Sequence, residues 1–204
     1  MNKVIKTISL VAVAAITFTQ AHAASFDFKD PKGVNNVAFS MDAPLEYISG
    51  TANGISGTVE FDPEHPEKTS GTITLDTTTL MVANSMMRDH MLGGSWMDVE
   101  NHPTITFTAK KLKDVKKEGS KYSATAKGSI TIKGTTKELE LPVTLTYLPG
   151  KLADRNQGMQ GDILVIRSDF TILRSEFGIN AGQNEDKVAD EIELKLSIAG
   201  FHAK

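Results

Sequence analysis

The chain has 204 residues, no cysteine and a formal net charge of −3. That acidic balance argues against a nucleic-acid partner, which a basic stripe would serve. Without cysteine there is neither a disulfide nor a thiol nucleophile, so stability must come from a buried core, which a chain of this length can build.

The first residues read as a leader. Asn2, Lys3 and Lys6 form a basic start, Ile8 to Phe18 is apolar, and Ala21-His22-Ala23 is a small-residue cleavage site. The apolar stretch is too short to cross a bilayer, which takes ~20 such residues. The pattern predicts a signal peptide over 1–23, cut between Ala23 and Ala24, and export of residues 24–204 as one domain without stable membrane insertion. Loss of Lys3 and Lys6 takes the net charge from −3 to −5. No cysteine follows the leader, so a lipid-anchored lipoprotein is excluded.

Eight strand candidates follow, near 37–42, 54–61, 70–76, 104–112, 122–133, 137–148, 161–173 and 188–199. Successive side chains on a strand point to opposite faces, so a period of two marks a sheet with one dry face. In the fifth candidate Tyr122, Ala124, Ala126, Gly128, Ile130 and Ile132 oppose Ser123, Thr125, Lys127, Ser129 and Thr131. In the sixth, Leu139, Leu141, Val143, Leu145 and Tyr147 oppose Glu138, Glu140, Thr144 and Thr146. Turn residues such as Asp62-Pro63, Gly134-Thr135 and Pro149-Gly150 separate the candidates. Short connections favour antiparallel neighbours. The expected fold is all-β: an eight-stranded antiparallel barrel, since closure removes exposed edges. A sandwich is the alternative, though its strands are usually shorter. Between the third and fourth strands, Asn84 to Leu92 predicts a short helix, capped by Asn84 or Ser85 and ended by Gly93-Gly94.

An eight-stranded barrel either fills its interior with side chains or holds one small ligand. Gly57, Gly71, Ala109, Ala124, Ala126 and Gly128 read as small inward positions that leave volume. Phe39, Met41, Phe61, Ile73, Leu75, Phe107, Leu145 and Phe170 read as large apolar ones, with Ile130 beside them. Apolar walls keep such a volume dry unless an apolar guest enters. Five methionines, Met81, Met86, Met87, Met91 and Met97, crowd the helical segment with Trp96, and adaptable binding surfaces overuse methionine. Met87, Met91 and Trp96 are therefore candidates either for the pocket or for a plug at one end of the barrel.

Four ordered motifs carry a family likeness. They are Arg88-Asp89-His90-Met91-Leu92 with Trp96 and Pro103-Thr104-Ile105-Thr106-Phe107; Gly128 to Lys137; Arg174-Ser175-Glu176-Phe177-Gly178-Ile179; and Asp190-Glu191-Ile192. Together they resemble the YceI-like proteins, also called the polyisoprenoid-binding family. The resemblance implies a lipocalin-like barrel in the periplasm. It also implies an elongated apolar pocket for an isoprenoid lipid or quinone, which adds Phe177 to the pocket candidates. Many relatives carry histidines around the first strand, where Asn36 and Ala43 stand here.

Catalytic signatures are missing. There is no nucleophile elbow, and His65, His90, His102 and His202 lack metal-ligand spacing. Neither a metal nor a cofactor is expected. Arg88 and Arg174 have two readings, as head-group contacts at the pocket mouth or as anchors for neighbouring loops, and Asp190 reads as part of a solvated turn. The expected function is a carrier of a long-chain amphiphile. The alternatives are a quinone-linked accessory or enzyme component and a solid structural barrel. A homodimer is left open.

Overall fold

The computed structural model describes residues 23–204; the predicted leader lies outside these residues. The strands are β1 (Ala24–Asp27), β2 (Asn36–Asp42), β3 (Tyr47–Ala52), β4 (Ile55–Phe61), β5 (Ser70–Asp76) and β6 (Met81–Val82). After helix α1 (Ser85–Leu92) come β7 (Thr104–Glu118), β8 (Lys121–Ile132) and β9 (Thr135–Leu148). A one-turn helix α2 (Leu152–Arg155) precedes β10 (Gly161–Leu173) and β11 (Glu191–Ala203).

Every strand pair is antiparallel, and β1-β4-β5-β7-β8-β9-β10-β11 closes on itself through β1 and β11. This is the expected eight-stranded barrel, with one change of membership. The 37–42 segment, β2, is not in the ring: it pairs with the same edge of β11 that β1 meets, and carries β3 and β6 beyond it. The eighth ring strand is β1, whose four residues are too few to show alternation. β7 runs on to Glu118, past the expected end at 112, because register shifts at Ala109/Lys111 and Lys113/Lys116 break its period of two. The tight connection between β8 and β9 is Lys133-Gly134, both with positive φ (46° and 74°), as hairpins with matching twist require.

Two inward glycines serve the backbone. Gly57 and Gly71 have φ of 121° and 157°, and a Cβ at either would run into the carbonyl of Thr72 or Thr58 on the paired strand. They are small because β4 and β5 coil closely together there.

Closure rests on how β11 divides its edge. β2 pairs with it from Glu193 to Ser197, whereas β1 meets it only at Phe201. Between them the Asn35 side chain takes the place of a strand. Its Oδ1 accepts the Ala199 N–H (2.9 Å), and its Nδ2 donates to the carbonyls of Ala199 (3.1 Å) and Phe28 (3.0 Å). Asn35 is only 2% exposed. Asp30 holds the loop in place, accepting the N–H groups of Val34 and Asn35 and the Arg155 guanidinium. Asn35→Ala would strand three buried backbone groups, each worth about 1–3 kcal/mol when unpaired. The expected loss is about 2–4 kcal/mol in a urea titration; an unchanged midpoint would show that the ring closes without this side chain.

Candidate functional site

The inward side chains of the ring, together with β2 and β3, enclose one elongated lumen with a cavity volume of about 220 Å³. A single buried water needs only about 10–15 Å³ on the same measure. The wall repeats the strand period: Ile105, Phe107 and Ala109 on β7; Ile166, Ser168, Phe170 and Ile172 on β10; Ile192, Leu194, Leu196 and Ile198 on β11. Ile73, Phe107 and Phe170 point inward yet are only half-buried, because they face this open space.

One end is a sealed floor. Phe26, Phe61 and Tyr122 are nearly fully buried and stack edge to face, with ring centroids 6.4 Å apart for Phe26–Phe61 and 5.3 Å for Phe61–Tyr122. Tyr147 joins them edge-on to Phe26 at 6.2 Å, and its hydroxyl donates to buried Asp162 (2.9 Å). Burial, then the Asp162 carboxylate, pushes the Tyr147 hydroxyl up to about 12. Burial opposes ionisation of Asp162, but the Gly150 N–H, the Lys204 ammonium and the Tyr147 hydroxyl outweigh it and hold its carboxyl below the usual range.

The other end is covered by α1 and the loops beside it. Asn84 caps the helix by accepting the Met87 N–H (3.0 Å). No α1 residue is buried, and Met86 is 68% exposed. Met91, Trp96 and Met97 reach the lumen. Arg88 donates to the carbonyls of Leu80 (3.2 Å) and Thr78 (3.3 Å), which ties the helix to the preceding turn.

Arg174 sits at this end, with 0% exposure. Its five N–H groups all go to main-chain carbonyls: Nε to Ala189, one terminal nitrogen to Ile179 and Asn180, the other to Gln183 and Val188. The Trp96 ring lies 5.5 Å from the guanidinium carbon. One cation thus gathers the loop from 179 to 189, and Gly178, at φ 65°, turns the chain into it. Asp190 is not a solvated turn residue: it accepts the Ser175 N–H (2.8 Å) and hydroxyl (2.7 Å).

Eleven of the fourteen sequence-derived pocket candidates border the cavity: Phe39, Met41, Ile73, Leu75, Met91, Trp96, Phe107, Ala126, Ile130, Leu145 and Phe170. The structure places Phe61 in the floor, Met87 against the core from α1, and Phe177 buried in the turn after β10. Of the two arginines, Arg174 borders the cavity and Arg88 does not. Ile192, Leu194, Leu196 and Ile198 of β11 line the lumen as well, and their alternation with Glu193, Lys195 and Ser197 is visible in the residue order. Leu80, Met97 and Ile179 also line the lumen, but they lie on connections, where periodicity gives no signal. Among the described residues, no group of three or more His, Cys, Asp or Glu could hold a metal ion, and no helix is long and apolar enough to cross a membrane.

Comparison with known proteins agrees with this geometry. A family model described as the YceI-like domain matches residues 30–200. A UPF0312 protein of Yersinia pestis (strain Pestoides F) is 27% identical over 203 residues, covering 98% of both chains. The crystal structure of Burkholderia cenocepacia BcnA superposes with a TM-score of 0.64 at 24% identity, over 81% of this chain and 95% of that one. A polyisoprenoid binding domain from Saccharophagus degradans has a TM-score of 0.61 at 8% identity, over 89% and 99% of the two chains. These structural likenesses show a shared fold.

Replacing Arg174 tests its structural role. Arg174→Met leaves five carbonyls without their donor, and Arg174→Lys has three donors for five acceptors. Each is expected to lower stability by at least about 3 kcal/mol in chemical denaturation. A variant of native stability that had lost ligand uptake would instead make Arg174 a head-group contact.

Proposed function

The chain belongs to the YceI-like family, and on that premise we propose that its barrel is a periplasmic carrier for a long-chain apolar amphiphile, an isoprenoid lipid or a quinone. The observation that carries this reading is the lumen: an elongated open space lined almost wholly by aliphatic, aromatic and thioether side chains. A hydrocarbon chain gains about 0.8 kcal/mol for each CH₂ it buries, so a long one binds such a wall well. The Saccharophagus degradans domain of the same fold, described as polyisoprenoid binding, supports an isoprenoid guest. The leader features support export, and cleavage between Ala23 and Ala24 would leave β1 whole. The lumen supports binding rather than chemistry, because its walls supply packing surface.

Native mass spectrometry of protein from its own cells is expected to show a bound prenyl-type lipid; an empty barrel that also refuses added prenyl lipids would refute the proposal. Phe107→Arg places a charge in the middle of the wall, where burial without a partner is costly. The folded variant is expected to lose lipid uptake by at least about tenfold in the same measurement. Unchanged uptake would place the ligand outside the lumen.

A further inference from the structure

We propose that Trp96 determines which polar end the lumen accepts: its indole N–H donates to a carbonyl oxygen of the guest at the α1 end. This inference rests on the carrier reading and deepens it by naming the head-group chemistry. Four residues lining the lumen carry a side-chain nitrogen or oxygen: Thr69, Trp96, Ser168 and Arg174. Three of them donate to the protein's own backbone. The Thr69 hydroxyl donates to the Pro66 carbonyl (2.6 Å), and the Ser168 hydroxyl to the Pro142 carbonyl (2.7 Å). Arg174 has five N–H groups and makes five bonds to carbonyls. The Trp96 indole N–H, which can only donate, has no partner among the described residues. Nor is it sealed off: among those residues no fully buried side-chain nitrogen or oxygen lacks a partner, so the indole nitrogen keeps open surface.

The main chain around Trp96 is fixed on both sides. The Trp96 amide donates to the Gly93 carbonyl (3.0 Å), and the Met97 amide to the Met91 carbonyl (3.0 Å). The Ser95 carbonyl accepts the Asn180 N–H (3.1 Å) and the Lys133 ammonium (3.3 Å). A donor positioned before the guest arrives loses little freedom on binding. The Arg174 guanidinium lies over the indole ring, its carbon 5.5 Å from the ring centroid. Among the described residues no carboxylate pairs with Arg174, so its buried charge is offset by carbonyl dipoles alone. A cation on the ring face draws π density toward itself, which leaves the N–H more positive and a stronger donor. One neutral donor suits one acceptor. The carbonyl oxygen of a quinone or an ester gives up little hydration and takes that bond. A diphosphate gives up far more, and a single N–H does not replace it. A lone polar group in an apolar pocket also fixes the direction in which the guest lies.

The chain has a single tryptophan, so isotope-labelled protein gives one indole N–H signal by nuclear magnetic resonance. Three ligands with the same tail are titrated into the wild-type protein: geranylgeranyl benzoquinone, geranylgeranyl acetate and geranylgeranylbenzene, which has no carbonyl. The carbonyl ligands are expected to move the indole proton downfield, as hydrogen bonding does, and geranylgeranylbenzene is not. A shift with both assigns the carbonyl as the recognised group, and a shift with one alone tells a quinone from an ester. Calorimetry on Trp96→Phe, which keeps an aromatic ring and removes the N–H, adds a second reading. Affinity for the carbonyl ligands is expected to fall about three- to tenfold, with geranylgeranylbenzene changed by less than about twofold. Equal losses for all three ligands, or an indole signal that no bound ligand moves or that geranylgeranylbenzene moves as far, would overturn the role of Trp96 and leave the carrier reading intact. No binding of any of the three to the wild-type protein would overturn both.

Discussion

An apolar lumen stays dry only if the sheet around it closes, and closure here depends on the stretch of β11 where β2 leaves off and β1 begins. A sheet edge exposes a row of unpaired N–H and C=O groups. β11 meets β1 through a single register pair, Asp27 with Phe201. The amide of Asn35 bridges the gap, giving Ala199 both a donor and an acceptor. The packing of the lumen, the placing of the β2–β3 strip and the sealing of the floor all presuppose that this edge is satisfied. Asp30 and Arg155 fix the loop that presents Asn35, so α2 supports the same junction.

The closed ring sets a radius that the wall does not fill. Eight strands leave room for side chains or for one small guest, and Ala109 and Ala126 leave part of it open. The two ends use different chemistry. The floor stacks aromatic rings over a hydrogen-bonded Tyr147–Asp162–Lys204 cluster. The opposite end is ordered by one buried guanidinium that collects five carbonyls, which keeps Ile179 on the lumen wall. The Arg174 guanidinium, the Tyr147 hydroxyl and the Asp162 carboxylate are thus spent on holding its shape. That leaves the wall itself to apolar contact, the property a carrier of hydrocarbon chains requires.

Much of this was legible from residue order. The alternation in 122–133 and 137–148 gives the paired β8 and β9 directly, and Phe107, Phe170 and Leu145 point inward as their parity demands. β1 and β6 escaped notice because four and two residues carry no measurable period. β3 escaped because two of its three inward positions, Gly50 and Ala52, are too small to stand out as a hydrophobic face. β7 looked short because its bulges reset the parity. Gly57 and Gly71 looked like space left for a guest, whereas their positive φ serves the coiling of two strands. The partners of Arg174 could not be foreseen at all: carbonyls are carried by every residue, so no side-chain pattern marks the loop that supplies them.

The most direct measurement of the central claim is a high-resolution crystal structure of the protein taken from its own cells. A hydrocarbon carrier requires continuous, elongated, water-free density running from beside Trp96 toward Leu145. Side chains or ordered waters filling that path from end to end would contradict it.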